Sequence, residues 1–403
     1  NTKVISEERI LTKLRDKHAY ITSFVPEILD KDRGEYLSNV NYGRLEAILR
    51  GISFLILPKI HKAYSVGSRR EGTHLHDSDY DLMVVYHALN RDEASDIIIP
   101  IKDTPGFCVV NLSRAKDETV KRLPLQNVVK KVQDQVYLSG LKMKVLEKQL
   151  NQKQASTKGS SMLFDDSTLK NVANKYKQKS RPLRLELDMA TAVACEGWPV
   201  TAESWVSRER HWPDQDLVRE IQATGYHLVP KVAPGCNLDP DIQRRLSFSF
   251  AEIKLMESLN GVCLLTYRIV KQLVKEHNLL DPEMCTSYHL KTAFLWVCEQ
   301  YPQEWWKHGR LAKCIQTLLV RLQDACLTKQ LPHYFIHKLN LFENISRDRL
   351  AMLSAELLKV IKNIKVTSFD VPKTPDTSEL ACTVILMAME QHALQKVQED
   401  LTK

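Results

Sequence analysis

No apolar run in this chain is long enough to cross a bilayer. Ile52 to Leu57 and Ile97 to Ile99 are short, so a spanning helix is excluded and no membrane partner is expected. No Cys-x-x-Cys pair occurs. The nine cysteines are odd in number and scattered, which argues against a disulfide framework or a zinc site and for reduced thiols in the cytoplasm. The opening Asn-Thr-Lys-Val forms no signal peptide, and the missing initiator Met makes a longer parent protein the expectation. No fixed-period repeat is present, and no separate RNA-binding domain is evident. What remains is a chain of 403 residues, long for a single core, so two lobes are expected. Its 43% hydrophobic and 26% charged content is that of an ordinary soluble globular protein.

The net charge of +8 is unevenly spread. Between Leu141 and Arg184 stand eleven Lys or Arg and only Glu147, Asp165 and Asp166, an excess equal to that of the whole chain. Such a block points to a polyanion partner. For residues 151–170 a solvated insert is an equally good reading.

Residues 64–86 are the stretch around which the chain is organised. A short apolar run ends in Gly67-Ser68; after a gap come Asp79-x-Asp81 and then an apolar, β-branched strand from Leu82 to Tyr86. Alternation puts Asp79 and Asp81 on one face of that strand. Carboxylates so close repel each other and need a counter-charge, for which a divalent cation is the natural choice. Gly67 lets the backbone approach a phosphate. The Ser68 hydroxyl and the N–H groups of the following turn are suited to hold one. Gly-Ser, Gly72-Thr73 and Asp-x-Asp on a strand together match the nucleotidyltransferase signature; a surface turn followed by a strand with one acidic face is the bland alternative.

In chain order, residues 6–30 and 41–60 read as amphipathic helices. A charged turn follows at Asn90–Asp96, then strands at Ile97–Ile101 and Phe107–Leu112 around the Pro105-Gly106 turn. Residues 126–150 read as a basic helix, with Val129, Val132, Val136 and Leu141 on its apolar side, and 153–161 as a loop. In Leu183-Arg-Leu-Glu-Leu-Asp188 the apolar residues alternate with charged ones. A strand ending in Asp188 can therefore add a third carboxylate, the number that two-metal phosphoryl transfer calls for. From Asp241 onward the pattern is helical throughout. One stripe runs from Leu259 through Val262, Leu265 and Ile269 to Leu273, and another comprises Leu311, Ile315, Leu318, Leu319, Leu322 and Cys326. Residues 347–363 and 378–398 add two further helices.

With Asp188 in place, the chain resembles a known family: metazoan cyclic GMP–AMP synthase and its cGAS-like receptors, which are male-abnormal-type nucleotidyltransferases. The resemblance covers about residues 41 to 345. It is carried by Gly67-Ser68, Asp79-x-Asp81, Leu187-Asp188 through Trp198-Pro199, Arg245-Leu-Ser-Phe-Ser249, Ser287 through Phe294, and Phe335 to Phe342. It implies an α+β, bilobal fold, with a mixed-sheet catalytic lobe over residues 1–240, spine helices included, and an all-helical lobe over 241–403 that closes a nucleotide cleft. It implies Asp79, Asp81 and Asp188 as catalytic ligands of magnesium or manganese, and Gly67 and Ser68 at the donor triphosphate. Lys271 matches a triphosphate-contacting lysine. Ser287 and Tyr288 match residues that contact and stack on a base, and Arg245, Ser247, Ser249 and Glu252 match residues around the acceptor base. Read without the motif order, Tyr288 is better taken as a core aromatic and Lys271 as a solvated helix face. The chain departs from the vertebrate enzyme in lacking a zinc ribbon after Arg-Leu-Ser-Phe-Ser: that region holds only Cys263, and no His lies between His227 and His277, so no zinc is expected. This places it nearest the invertebrate-type receptors.

The activity implied is a cyclic dinucleotide synthase of innate immunity. It would join two nucleoside triphosphates (ATP, GTP or others) through one 2′–5′ and one 3′–5′ linkage, releasing pyrophosphate. Double-stranded RNA is the expected activator, because the chain is basic, lacks the zinc ribbon and is closer to the invertebrate-type receptors, several of which sense RNA. Its candidate contacts are Arg9, Lys13, Arg15 and Lys17 on the first helix, Lys59 and Lys62 after the second, and Arg268, which matches a nucleic-acid contact of the family; a ligand-induced oligomer is also expected. Two alternatives stand beside it: a catalytically silent nucleotide-binding scaffold, and a nucleotidyltransferase that extends RNA ends.

Overall fold

A computed structural model describes residues 62–75, 80–122, 128–143, 157–158, 161–164, 185–281 and 283–367. They fall into two compact bodies, one running to Ser258 and including Pro332–Asn344, the other Leu259–Leu331 with the residues from Ile345 on. The first carries a mixed sheet and the second is helical, which bears out the α+β expectation. The expected helices at 6–30, 41–60 and 378–398 lie outside the described residues.

In the sheet body, β1 (Lys62–Val66) leads through a short helix α1 (Gly67–Arg70) to β2 (Tyr80–Leu89). Then follow α2 (Arg91–Ile97), β3 (Ile98–Pro100), β4 (Phe107–Val110), α3 (Asp117–Arg122), β5 (Val129–Val132), β6 (Gln135–Leu138), β7 (Thr157–Lys158), β8 (Ser161–Phe164) and β9 (Leu185–Cys195). The body continues through α4 (Glu203–Val206), α5 (Gln215–Ala223), β10 (Tyr226–Pro230), β11 (Gln243–Ser247) and α6 (Ser249–Glu257). The main sheet runs β1-β2-β9-β10-β11-β4-β3, with β8 also on the flank of β9. β2 and β9 are parallel neighbours; the other pairs are antiparallel. Met83, Val84 and Val85 are 2%, 1% and 1% exposed, so both faces of β2 are covered, as its unbroken apolar run foretells. On one of those faces Val66, Met83, Val85, Ala192 and Val229 pack with Ile253 of α6, and Phe250 lies against them.

Five readings of the sequence need correction. The basic helix expected over 126–150 is instead the β5–β6 hairpin between residues 129 and 138, paired Val129 to Leu138 and Val132 to Gln135. Valines at spacings of three and four imitate a helical stripe, but Gln133 turns the chain at φ 54°, and β-branched residues favour strands. Hydrogen bonds stitch the hairpin to its body: Ser139 Oγ donates to the Asp241 carboxylate at 2.8 Å and Val136 N–H to Ser113 Oγ at 2.7 Å. The charged turn expected at Asn90–Asp96 is instead helix: Asn90 is the N-cap of α2, and Arg91–Asp96 make up all of it but Ile97. Its capping box has Glu93 N–H donating to Asn90 Oδ1 at 2.9 Å and Asn90 N–H to Glu93 Oε2 at 3.0 Å. Inside the expected loop 153–161, Thr157–Lys158 and Ser161 form strand, and β8 pairs with β9. β9 does not end in Asp188 but runs on to Cys195. Finally, Gln243–Ser247 interrupts the supposed helical region as a sheet strand.

The helical body contains α7 (Gly261–Glu276), α8 (Ser287–Gln300), α9 (Leu311–Thr328) and α10 (Arg347–Thr367). Asn260 and Thr286 cap α7 and α8, accepting from Cys263 and His289 N–H at 3.0 and 3.4 Å. The α9 stripe from Leu311 to Cys326 is buried as its periodicity requires.

Candidate functional site

The geometry begins with a register. Asp81 of β2 and Asp188 of β9 are Cα partners across the parallel pair, and Val66 and Ser161 extend the same row on either side. Partners in register share a face, and neighbouring strands lie about 4.8 Å apart, so two half-buried carboxylates stand side by side. This is the arrangement that demands a counter-charge. Asp79 lies outside the described residues.

Gly67 closes on Asp81. Its φ is +71°, and a Cβ there would collide with the Asp81 carboxylate, the Asp81 Cβ itself lying 2.9 Å from that position. Only glycine admits both the backbone conformation and the approach. The turn that follows is self-contained: Glu71 N–H donates to Gly67 O at 3.0 Å and Thr73 N–H to Ser68 O at 2.8 Å. Ser68 itself is half-buried.

The same sheet face carries more of the expected residues. Alternation from Asp81 and Asp188 leads through Met83, Val85, Ala192 and Ala194 to His227 and Val229 of β10. These pair with Ser247 and Arg245 of β11. Arg245 is exposed, Ser247 Oγ lies 3.0 Å from Ser249 Oγ, and Glu252 on the first turn of α6 is buried. The register thus brings Asp81, Asp188, Arg245 and Ser247 onto one surface, with β11 two strands from Asp188 and three from Asp81.

In the helical body Lys271 is 7% exposed, which rules out a solvated helix face. Ser287 is exposed and Tyr288 half-buried at the start of α8, with Lys291 Nζ 5.7 Å from the Tyr288 ring centroid; Tyr288 is therefore no core aromatic. Of the residues expected at a nucleic acid, Arg9, Lys13, Arg15, Lys17 and Lys59 lie outside the described residues. Lys62 opens β1. Arg268 is 2% exposed and offers a ligand almost no surface.

Two residues escaped the sequence reading. Arg70, just after Ser68, pairs with Glu257 at 2.6 Å and so ties the Gly67 turn to the end of α6. His333 is buried against Phe248 and Phe335, its Nδ1 accepting Phe335 and Ile336 N–H at 3.2 and 3.0 Å. Burial pushes its imidazole down to about 4, against the pull of the Glu252 carboxylate. Arg70 lies between Ser68 and Gly72 and is legible as a cation beside a phosphate turn. His333 carried no local signal of burial, since Phe248 and Glu252 reach it from a distant part of the chain.

Residues 77–258 match the Mab-21 protein nucleotidyltransferase domain, and residues 263–359 match the Mab-21 protein HhH/H2TH-like domain. The chain is 29% identical over 192 residues to "Protein mab-21-like" of Anopheles gambiae, covering 46% of this chain and 52% of that relative. It is 28% identical over 188 residues to "Protein mab-21-like" of Aedes aegypti, covering 45% and 51%. The matches span about half the length of these curated relatives.

Proposed function

We propose that this chain, which carries the nucleotidyltransferase domain of the Mab-21 family, is a nucleic-acid-activated cyclic dinucleotide synthase of innate immunity, acting in the cytoplasm. One observation carries the reading: Asp81 and Asp188 are paired in register beside a glycine that tolerates no side chain. A scaffold that only bound nucleotide would have no need to set two repelling carboxylates together.

The pair fits magnesium or manganese. Both ligands are hard oxygens on strands, the Asp81 carboxylate seated against Gly67 where a side chain would collide with it, and Asp79 would complete the set. Among the described residues no group of three or more metal-ligating side chains is gathered, Asp79 being outside them. The cation, when bound, neutralises the triphosphate and lowers the pKa of the attacking hydroxyl. Ser68 and the Gly67 backbone hold the donor phosphates. In the helical body, Lys271 is a triphosphate-contacting lysine. Tyr288 stacks on a base with Ser287 beside it. Arg245, Ser247, Ser249 and Glu252 read the acceptor base. Two sequential transfers join two nucleoside triphosphates through 2′–5′ and 3′–5′ linkages, each releasing pyrophosphate. Double-stranded RNA is the activator: the chain is basic and lacks a zinc ribbon, and an A-form duplex is read by shape and phosphates. Ligand binding also drives oligomer formation.

The test is incubation of the chain with magnesium, all four ribonucleoside triphosphates and matched RNA or DNA duplexes. A small cyclic product that depends on RNA supports the proposal. Elongated RNA would make the chain an end-transferase, and no turnover under any condition would make it a silent scaffold. Product formed equally well with DNA would overturn the RNA assignment alone.

A further inference from the structure

The segment Tyr301-Pro-Gln-Glu-Trp-Trp-Lys-His-Gly-Arg-Leu-Ala-Lys313 of the helical body has no part in the nucleotide chemistry above. It joins α8 to α9 through two single turns, Gln303–Trp305 and His308–Arg310. Its mounting is rigid. Trp306 is 3% exposed and packs edge-on to Phe294, and Asn260 Nδ2 donates to Gln303 O at 3.1 Å. On this mount the half-buried rings of Tyr301 and Trp305 stack, with centroids 4.2 Å apart and planes 25° apart. Around them Lys307, His308, Arg310 and Lys313 are all exposed.

The charge is one-sided. Glu304 is the single acid between Tyr301 and Gln323. Among the described residues Lys307, Arg310 and Lys313 make no ion pair, although such pairs occur on the surface elsewhere, as between Arg349 and Glu283. The first turn of α9 holds no acid and does hold Lys313, a placement that the helix dipole opposes and that helix stability alone would not select.

We propose that this surface is a docking site for single-stranded nucleic acid. The stacked rings offer an aromatic face to an unpaired base, and the cations take the flanking phosphates. A pre-ordered platform of this kind binds without a sequence code, because every base has a π-face. A duplex hides its base faces, and an acidic peptide has no use for the ring stack. A bilayer surface is a poorer fit, because it requires apolar side chains that insert. Trp306 and Leu311 are each 3% exposed, and no exposed large apolar residue lies in this segment.

The experiment measures binding of a fluorescent 20-nucleotide single-stranded RNA to the full chain and its variants by polarisation over a salt series. Lys307→Glu with Arg310→Glu is expected to weaken binding at least about tenfold and to lower the log–log salt slope by about 1.4, the release for two single-strand phosphate contacts. Trp305→Ala is expected to cost about tenfold, while Trp305→Phe retains the platform and stays close to wild type. Unchanged melting temperatures confirm that these surface variants fold. Unaltered RNA binding by the charge-reversed variant would overturn the proposal. So would equal losses for the Ala and Phe variants. So would a charge-dependent capture of phosphatidylserine vesicles or polyglutamate that matches or exceeds that of the RNA.

Discussion

The two bodies of this chain hold their chemistry in different ways. In the sheet body the critical geometry belongs to the backbone. Asp81 and Asp188 meet because β2 and β9 are parallel and in register, and Gly67 reaches Asp81 because it has no side chain. In the helical body the residues singled out, Lys271, Tyr288 and the Trp305 platform, are side chains presented one by one on helices and turns. A backbone-built site tolerates no shift, since moving a strand by one residue flips every side chain. A side-chain site degrades by increments. Substitutions should therefore switch the first site off and only weaken the second.

The largest effect is expected from Asp81→Asn with Asp188→Asn. Neutral amides cannot replace anionic ligands, so turnover should fall at least about a thousandfold. The melting temperature should hold or rise, because two like charges are removed from one row. Near-normal product formation would refute the carboxylate assignment and with it the contrast between the bodies.

Next comes Gly67→Ala, paired with Gly72→Ala. Both glycines have φ near +70° (+71° and +67°), so each alanine bears a similar backbone strain of about 1–2 kcal/mol. Only at Gly67 does the new Cβ meet Asp81; at Gly72 nothing lies within 4 Å. Turnover should drop about a hundredfold in the first variant and little in the second, an extra barrier of about 3 kcal/mol. Equal kinetic losses would mean that strain, not the collision, governs the site.

In the helical body Tyr288→Ala should weaken nucleotide binding by about one to two decades, as read by titration calorimetry, because stacking is worth about 1–3 kcal/mol per base. Tyr288→Phe keeps the ring and should change little. A variant that unfolds with no selective binding defect would make Tyr288 a packing residue and erase its part in the comparison.

How far these features could be read in advance follows the same division. The helices of the helical body were legible, because 3.6-residue periodicity is local: the stripe from Leu311 to Cys326 is buried as its spacing required. The β2 strand was legible as an apolar run. The pairing of Asp81 with Asp188 joins residues more than a hundred positions apart, and only the order of motifs hinted at it. The β5–β6 hairpin was misread because Val129, Val132 and Val136 suit a helix and a hairpin alike, and Gln133 is not a residue that announces a left-handed turn. Tyr288 and Lys271 were found by resemblance, while their degree of burial depended on packing that no local pattern encodes.

The smallest effect expected is a difference in acid sensitivity. Burial pushes His227 and His333 in the sheet body, and His289 in the helical body, down to about 4. The unfolded chain binds these protons near the ordinary value of about 6.5. The stability these groups contribute is therefore fully present above that pH and is lost as pH falls from about 6.5 towards 4, by up to about 1.4 kcal/mol per unit for each histidine. His289 and His333 have a second reason to stay neutral. Their Nδ1 atoms accept backbone N–H groups, from Thr286 at 3.1 Å in one case and from Phe335 and Ile336 in the other. A protonated ring cannot accept there. His227 rests edge-on to Phe250 at 4.6 Å, with burial alone holding it neutral. Denaturant unfolding between pH 7 and 5 should show stability falling with acid. His227→Phe combined with His333→Gln should flatten that slope about twice as much as His289→Gln does, since two titrating groups are removed rather than one. Slopes parallel to the wild type in both variants would show that carboxylates, not these imidazoles, set the acid limit, and the two bodies would then not differ in this respect.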